Sequence, residues 1–412
     1  MSSGVSIKKL LKDVEVEWKQ LGEVCEVKNG YTPSKSKKEY WKNGFIPWFR
    51  MEDIRKNGRI LNDSIQHITS MAVKSGKLFP KNSIIISTTA TIGEHALITT
   101  EFLCNQQLTV LSIRDSFIKY VNYKYLFYYS FVLSKWCRKN VNSAGFPLIG
   151  TTKIKSFQIP IPSLKIQSEI VRMLDNFTEL AAELSAELSA RKKQYSYYRD
   201  KLLSFEDNEV EWKSLGEVGE FIRGKRFVKT DIISEGIPCI HYGEMYTHYG
   251  IWANKTKSFV SNELVVNKKL RTAEKDDVVL VAAGETIEDI GLGTAWLGDE
   301  GVVIHDACFF YKSPLNPKYV AYFTRTRQFQ KQIKKHISSG KISAINAKGL
   351  SKTIIPIPSQ EEQARIVAIL DKFDTLTNSI SEGLPREIEL RKKQYEYYRD
   401  LLLNFPKPEV KA

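Results

Sequence analysis

Small polar and basic side chains border apolar, strand-like runs at three points in the first part of the chain. They are Arg50, after the run 46–48; Thr88, Thr89 and Thr91, after the run 84–86; and Asn105, Gln106 and Gln107, before the run 108–111. Arginine can pair with guanine and amides with adenine, while hydroxyl groups can approach phosphates and base edges. These residues are therefore candidates for contact with a nucleic acid. An ordinary turn, a strand cap or a surface salt bridge would use the same residue types.

Different polar residues stand at the corresponding points in the second part of the chain. They are Lys225 and Arg226; His241 and Tyr242, after the run 237–240; Gly284, Glu285 and Thr286, after the run 277–281; and His305, before the run 307–311. A glutamate in such a loop can accept a hydrogen bond from cytosine N4. Simple exposure, or packing of the rings, is the alternative explanation for these residues.

Two helix-like runs, 119–139 and 317–336, end in basic residues and lead into glycine-containing loops. The candidates for phosphate contact at these ends are Arg138, Lys139 and Ser143, and Lys335, Ser339 and Lys341. Lysine and arginine supply most of the sequence-independent affinity for DNA phosphates. A solvated basic face is the alternative.

The charge balance favours a polyanionic partner. The chain has 61 Lys and Arg against 47 Asp and Glu, which gives a formal net charge of +14 and a pI near 9.3. Nucleic acid is the first candidate partner, although a merely basic surface would look the same. We expect no membrane span, because the sequence contains no apolar run of about 18 residues. The five cysteines are scattered without a Cys-x-x-Cys pair, which favours a reducing cytoplasm over disulfides or zinc.

The motifs of several enzyme classes are missing from the sequence. It contains no Gly-x-x-x-x-Gly-Lys-[Ser/Thr] phosphate loop, no Asn/Asp-Pro-Pro-Tyr site and no His-x-x-x-His pair. We therefore expect no catalytic residue, metal or cofactor in this chain.

An internal repeat organises the chain. Residues 16–24 recur at 210–218 with an offset of 194, the Ile-Pro-Ile-Pro segment 159–162 recurs at 355–358 with an offset of 196, and 191–205 recur at 391–405 with an offset of 200. The chain is therefore predicted to form two units, each a globular segment followed by a helix. Since the sequence ends about where another unit would begin, we expect a circular, pseudo-two-fold arrangement.

The helix of each unit is predicted from a single apolar stripe. Apolar residues recur every three or four positions from Ile166 to Leu202 and from Ile366 to Leu402. Two such stripes in one chain favour an antiparallel coiled-coil pair. Asp175 and Arg191 are 16 positions apart, whereas Asp371 and Arg391 are 20 apart, and Gly383 with Pro385 predicts a kink or break in the longer copy.

A basic and tyrosine-rich segment is common to both helices. Its members are Arg191, Lys192, Lys193, Tyr195 and Tyr198, and Arg391, Lys392, Lys393, Tyr395 and Tyr398. The two globular segments differ, so identical residues are poor candidates for reading two different base sequences. We interpret them as a contact with partner subunits or as helix packing, in preference to DNA.

The repeated regions resemble the specificity subunit of type I restriction-modification systems (HsdS). The resemblance covers essentially the whole chain, and the tandem Ala-Glu-Leu-Ser unit at 182–189 is similar to the spacer repeat of the type IC branch. In the first globular segment, Gly30-Tyr31-Thr32-Pro33, Gly44-Phe45-Ile46-Pro47-Trp48 and Asn105-Gln106-Gln107 look like a common target-recognition pattern. The second segment departs from it, with Gly224-Lys225-Arg226 in place of Gly-x-Thr-Pro.

The resemblance implies a non-catalytic, cytoplasmic subunit that reads a bipartite site in double-stranded DNA. Each globular segment would read one half-site, and the helices would set the spacer between the half-sites. Two methyltransferase subunits (HsdM) would bind and methylate adenine with S-adenosylmethionine. Motor-nuclease subunits (HsdR) would then use ATP and Mg. The alternatives are a tandem coiled-coil scaffold that bridges proteins without reading DNA, and a self-contained nuclease or methyltransferase.

We therefore predict an α+β fold in which two globular α/β target-recognition domains are separated by two long antiparallel coiled-coil helices. The predicted segments are 1–15, which completes the circular repeat; 16–162, the first head; 163–205, the central helix; 206–358, the second head; and 359–412, the C-terminal helix and tail.

Deletion of Ser185–Leu188 tests the spacer interpretation. It removes one four-residue unit, and with it about one helical turn or 6 Å of helix. We expect the spacer between the methylated half-sites to change while both half-sites stay the same. Mapping of N6-methyladenine in cells that carry the deletion measures this, and an altered half-site would contradict the interpretation.

Overall fold

The computed structural model of the chain describes residues 14–142, 147–206, 208–379 and 381–406. The chain divides into two compact units. One unit combines residues 1–183 with 389–412, and the other consists of residues 184–388. The last part of the C-terminal helical region, from residue 389 onward, thus belongs to the same unit as the first head, as the circular repeat predicts.

The first head consists of short strands and helices around apolar sheets. Its strands are β1 (Glu17–Gln20), β2 (Cys25–Asn29), β3 (Ile46–Phe49), β4 (Ile60–Leu61), β5 (His67–Ile68), β6 (Ser83–Ser87), β7 (His95–Ile98), β8 (Leu103–Cys104), β9 (Leu108–Ile113) and β10 (Gln158–Ile161). Its helices are α1 (Leu21–Val24), α2 (Met51–Asn57), α3 (Tyr123–Lys139) and α4 (Thr151–Lys155). The described strands form sheets in the orders β2-β9-β6-β7-β4, β5-β3-β8 and β1-β10.

The long helix α5 (Leu164–Leu202) follows without a break and contributes residues to both units. It leads into the second head, whose strands are β11 (Glu211–Ser214), β12 (Glu220–Arg223), β13 (Ile237–Ile240), β14 (Trp252–Ala253), β15 (Ser258–Val260), β16 (Thr272–Ala273), β17 (Val278–Val281), β18 (Ala283–Gly284), β19 (Gly293–Trp296), β20 (Val302–Ile304), β21 (Cys308–Lys312), β22 (Ser343–Ala344) and β23 (Ile354–Ile357). The helices there are α6 (Leu215–Val218), α7 (Glu244–Thr247), α8 (Asn262–Lys268), α9 (Pro317–Phe323), α10 (Arg327–Ile333) and α11 (Ala347–Ser351).

The sheet orders of the second head repeat those of the first. They are β12-β21-β17-β19-β14, β15-β13-β20-β16 and β11-β23, together with the small β18-β22 pair. Strands with little sequence in common therefore occupy equivalent places.

Two helix predictions need correction. The run 119–139 becomes helical only at Tyr123, because the side chain of Asn122 accepts the N–H groups of the first turn. The run 317–336 is divided, because the first helix ends at Phe323 and Thr326 caps a second helix that begins at Arg327.

The C-terminal helical region is interrupted as predicted. It forms α12 (Gln360–Asn378) and α13 (Gly383–Leu402). Gly383 has a φ of 75°, a value that favours glycine. The prediction of two long helices is therefore correct for α5, while the second copy is a pair of shorter helices.

Aromatic stacking joins the helices within each unit. In the first unit the rings of Phe177 and Tyr398 lie 5.3 Å apart, and in the second unit those of Phe373 and Tyr198 lie 5.6 Å apart. The same two positions of the repeat thus meet in both units, which confirms the predicted helix pairing within each of them.

An aspartate on α5 fastens the first head to the helix. The Asp175 carboxylate accepts hydrogen bonds from Lys124 Nζ and from the Tyr128 hydroxyl, both at 2.7 Å. The Gln167 side chain, about two turns earlier on the same face of α5, accepts the Asn122 N–H at 2.8 Å. The start of α3 is therefore held by two side chains of α5.

The second unit repeats this arrangement. Asp371 accepts from Lys318 Nζ at 2.8 Å and from the Tyr322 hydroxyl at 2.7 Å. Gln363 accepts the Asn316 N–H at 2.9 Å. We call Asp175 and Asp371, with their Lys and Tyr donors, the carboxylate clamps.

The substitution Tyr128→Phe tests the first clamp. A buried hydrogen bond to a charged group contributes about 1.5–3 kcal/mol, and Lys124 continues to neutralise Asp175 in the variant. We therefore expect a loss of about 1.5 kcal/mol in the free energy of unfolding of the first unit, measured by urea denaturation. Tyr129→Phe is the matched control, because Tyr129 is also buried on α3 but carries no such bond to Asp175. Equal losses in the two variants would contradict the clamp.

Candidate nucleic-acid interface

Parallel strand pairing brings Arg50 and Asn105 together in the first head. Strands β3 and β8 run parallel, with Phe49 beside Cys104. Arg50 directly follows β3 and Asn105 directly follows β8. The Asn105 N–H donates to the Phe49 carbonyl at 3.0 Å. Two candidates that are far apart in sequence thus leave the sheet side by side.

The loop after β6 joins the same place. The Thr88 N–H donates to the Gln107 carbonyl at 3.1 Å, and the Thr88 hydroxyl donates to the same oxygen at 3.3 Å. The Asn105 amide donates to Gln107 Oε1 at 3.3 Å. Gln106 is exposed and accepts a hydrogen bond from Thr32. The structure therefore gathers three predicted loops at one edge of the first head.

Several buried polar atoms at this edge have no hydrogen-bond partner among the described residues. They are Arg50 Nε, Thr89 Oγ1, Thr91 Oγ1 and Asn105 Oδ1. Such atoms are rare in folded proteins, because each costs the free energy of its lost hydration. Arg50 is otherwise held by Glu52 at 2.9 Å and lies over the Trp48 ring at 5.8 Å. These four atoms lack a hydrogen bond but are covered by neighbouring protein atoms, so a ligand reaches them only if this edge rearranges.

The second head has a corresponding pair. Strands β13 and β20 are parallel, with Ile240 beside Ile304. The next residues are His241 and His305, whose ring centroids are 4.6 Å apart. The Tyr242 ring lies 4.6 Å from His241 and 5.3 Å from His305.

A cavity of about 360 Å³ opens on these rings. Its lining includes Arg226, Gly284 and Glu285 from the predicted set, in addition to the three rings. Thr286 lines a neighbouring cavity of about 560 Å³ that also touches His241 and Tyr242. The structure thus gathers most of the second set of candidates into one concave site, which we call the His-Tyr pocket.

Gly224 and Lys225 support the floor of this site. A side chain at Gly224 would collide with the backbone of Ile304 and His305, and the Lys225 N–H donates to the Ile304 carbonyl at 3.0 Å. Gly30 approaches Cys104 and Asn105 in the first head in the same way. The glycines of the two dissimilar motifs therefore serve one purpose, close passage of the chain beside the strand end.

Burial favours the neutral form of both histidines in the pocket. Burial lowers the pKa of His241 and, against the opposing influence of Asp306, the pKa of His305. Each Nδ1 accepts a backbone N–H, from Gly243 at 3.4 Å and from Ala307 at 3.1 Å. An accepting Nδ1 has no proton, so the 3.2 Å approach of His305 Nδ1 to Asp306 is not an ion pair. The proton of each ring is on Nε2.

The basic candidates lie on exposed surface. Arg138 and Lys139 end α3, where Arg138 donates to Ser134 Oγ at 2.7 Å. Lys335, Ser339 and Lys341 are exposed after α10. Ser143 lies outside the described residues. The structure does not bring these residues into the two strand-end sites.

The repeated helical segment is divided between packing and exposure. Lys192, Lys193, Lys392 and Lys393 are exposed, while Arg191 pairs with Glu187 at 2.7 Å and Arg391 donates to Gln394 at 3.0 Å. Of the two alternatives for this segment, partner contact or helix packing, Tyr195 fits helix packing, because it is only 7% exposed and packs on Phe373.

The other predicted tyrosines also pack within their own units. The rings of Tyr198 and Tyr398 stack on phenylalanines, and Arg399 lies over Tyr395. The residues that the sequence reasoning missed are Tyr197 and Tyr397, which are 61% and 63% exposed. Both lie two residues after Tyr195 or Tyr395 and outside the apolar stripe, which is the sequence feature that indicates their exposure.

The described part of the chain shows no site for a metal ion, because none of its groups of His, Cys, Asp and Glu has the arrangement needed to bind one. No described helix combines the length and apolar character required to cross a membrane.

Known protein families and sequences resemble this chain over both of its repeated units. The family model for the type I restriction modification DNA specificity domain matches residues 13–191 and 208–390. The type I restriction enzyme EcoprrI specificity subunit of Escherichia coli is 42% identical over 404 residues, covering 93% of this chain and 93% of that protein.

Solved structures share the fold. The HsdS subunit from Thermoanaerobacter tengcongensis aligns with a TM-score of 0.53 at 17% identity, over 94% of this chain and 96% of that one. A chain from a structural study of complex assembly and conformational transition of the type I R-M system aligns with a TM-score of 0.67 at 17% identity, over 96% and 98% of the two chains.

Neutral buried histidines predict a stability that falls in acid. Burial lowers the pKa of His95 to about 3, below the usual 6.5. Between these values the unfolded chain binds a proton that the folded chain does not, so stability is complete above pH 6.5 and is lost as the pH falls. The slope approaches about 1.4 kcal/mol per pH unit for each such histidine. We expect His95→Gln to flatten the dependence between pH 6.5 and 5 in urea titrations, whereas parallel curves would contradict this origin.

Proposed function

Because the chain belongs to the type I restriction-modification DNA specificity family, we propose that each of its two heads reads one half of a bipartite DNA sequence through the side chains at its strand ends. The observation that carries this proposal is the placement of Arg50 beside Asn105, and of His241 beside His305, at the ends of parallel strand pairs in the two heads. Side chains of these types can pair with base edges and phosphates. The His-Tyr pocket would perform the same task in the second head.

The chain is a specificity subunit and is not itself catalytic. Adenine methylation and ATP-dependent restriction are carried out by partner subunits, the methyltransferase and the motor-nuclease. The comparisons support this interpretation over a scaffold that bridges proteins without reading DNA. Assignment to the type IC branch and the domain limits 16–162 and 206–358 stay predictions.

The exposed lysines and tyrosines of the repeated helical segment are proposed as the partner contact. Lys192, Lys193 and Tyr197 recur as Lys392, Lys393 and Tyr397, and all of them are exposed. Since the same surface occurs twice, it suits two identical methyltransferase subunits. Tyrosine at such a surface supplies a large contact area at a small entropic cost.

We propose that the subunit works in the cytoplasm. All five cysteines are buried free thiols, and burial raises the pKa of Cys25 and Cys308 to about 12. Thiols of this kind stay protonated and unreactive, as suits a reducing compartment.

A pair of substitutions separates base reading from phosphate binding. In the assembled methyltransferase complex, Arg50→Ala should relax the base preference at one position of one half-site, at a cost of about 1–3 kcal/mol. Lys139→Ala, on the exposed end of α3, should weaken binding to all sequences equally and reduce the salt dependence by about one counterion. Competition binding with single-base variants of the site, at several salt concentrations, measures both effects.

Two results would contradict the proposal. One is an Arg50→Ala complex with unchanged preference at every position of both half-sites. The other is a wild-type complex that binds the mapped site no better than a scrambled sequence, which would instead favour the scaffold alternative.

A further inference from the structure

The His-Tyr pocket presents a donor that nothing in the described protein uses. His241 is 8% exposed, and its Nδ1 is occupied by the Gly243 N–H at 3.4 Å. The proton is therefore on Nε2, which makes no hydrogen bond to the described residues and is not one of their buried unpartnered atoms, so it is open to the cavity. An N–H that faces a cavity is available to a ligand that brings an acceptor.

His305 holds the His241 ring in place. The Ala307 N–H fixes the His305 ring through Nδ1 at 3.1 Å, and the Phe227 ring lies edge-on to it at 5.1 Å. His241 then lies between His305 and Tyr242, with 4.6 Å to each ring centroid. Rings in this contact leave His241 little freedom to turn, so Nε2 keeps its direction.

The other polar groups of the pocket define the ligand further. Glu285 is exposed at the rim and can accept a hydrogen bond from an amino group, and Arg226 supplies a positive charge beside it. An acceptor next to an amino group is the pattern of adenine N7 and N6, and of guanine N7 or O6 with the N4 of the paired cytosine. Purine N7 is the acceptor common to both base pairs. A cavity of about 360 Å³ has room for one base edge.

The first head gives an independent reason to expect base reading at these two positions. Arg50 and Asn105 occupy the residues after β3 and β8, as His241 and His305 occupy those after β13 and β20. Arg50 Nε is likewise a donor without a partner. The first position of each pair thus holds a free N–H in both heads.

We propose that His241 of the second head donates from Nε2 to N7 of a purine in the major groove, with His305 as the positioning residue and Glu285 as the acceptor for the adjacent amino group. This inference rests on the proposed function and specifies the base atom that the second head reads. It makes the second half-site dependent on a purine at one position.

Replacement of purine N7 by C–H tests the inference. In the assembled methyltransferase complex, 7-deaza-adenine or 7-deaza-guanine is placed at each purine of the mapped site in turn, and affinity is measured by fluorescence anisotropy. We expect one purine at which the 7-deaza base weakens wild-type binding about tenfold. In the His241→Phe complex the unmodified site should already bind about tenfold more weakly, and the 7-deaza base at that position should cause no further loss.

The matched control is His248→Phe, which makes the same change at an exposed histidine of the second head outside the pocket. It should keep the tenfold 7-deaza effect. The inference is overturned if no purine shows an N7 effect with the wild-type complex, a measurement that does not depend on the folding of any variant. It is also overturned if every N7 effect persists in His241→Phe. Failure of the proposed function looks different, because the wild-type complex would then not distinguish the mapped site from scrambled DNA.

Discussion

The carboxylate clamps are the contacts on which the geometry of both units depends. Each clamp joins a helix of the head to the helix that follows the head, α5 or α12, by two charge-assisted hydrogen bonds to one aspartate. Hydrogen bonds to a charged group are among the stronger ones in proteins, and the Tyr rings that donate them are buried. A head whose loops must change with the DNA sequence needs such an anchor at a distance from those loops. The clamps involve α3, α5, α9 and α12, whereas the candidate base-reading residues follow the strand pairs β3-β8 and β13-β20.

The two heads also show how one structural need is met by different residues. In the first head, Arg59 donates to the carbonyl of His95, the first residue of β7, and lies over the Phe131 ring. In the second head, Arg325 donates to the carbonyl of Gly293, the first residue of β19. Arg325 lies in the turn between α9 and α10, at the repeat position of Phe131, 194 residues later. A guanidinium therefore binds the first carbonyl of the equivalent strand in both heads, although it comes from the loop after α2 in one and from the turn between α9 and α10 in the other. Both heads thus place a positive charge at the same point of the fold, although the residue that supplies it stands at different positions of the repeat.

Much of this architecture could be predicted from the sequence, because repetition reports directly on shared structure. The apolar stripes gave the helices, and Gly383 with Pro385 gave the interruption between α12 and α13. The clamps could not be predicted, since Lys124 and Tyr128 lie far from Asp175 in sequence and look like ordinary helix residues. The site was predicted as separate loops. Its assembly depends on the parallel pairing of β3 with β8 and of β13 with β20. The sequences of such short strands do not indicate which strands pair. For Tyr195 the sequence left partner contact and helix packing open, because a repeated tyrosine can serve either, and only its burial on Phe373 distinguishes the two.

Parallel pairing also explains how base reading can change while the fold is kept. The residue after each strand of a parallel pair leaves the sheet next to its neighbour, whatever its side chain, because the register is fixed by backbone hydrogen bonds within the strands. Arg50 with Asn105 and His241 with His305 are two solutions at the same pair of positions. Neither pair contributes to the clamps or to the helix stacking. Glycines 30 and 224 are constrained instead, since a side chain there would strike the backbone of the second residue of the pair. On the proposed function, substitution at the strand ends would alter the donors and acceptors offered to DNA, whereas substitution at the glycines would displace the strand end itself.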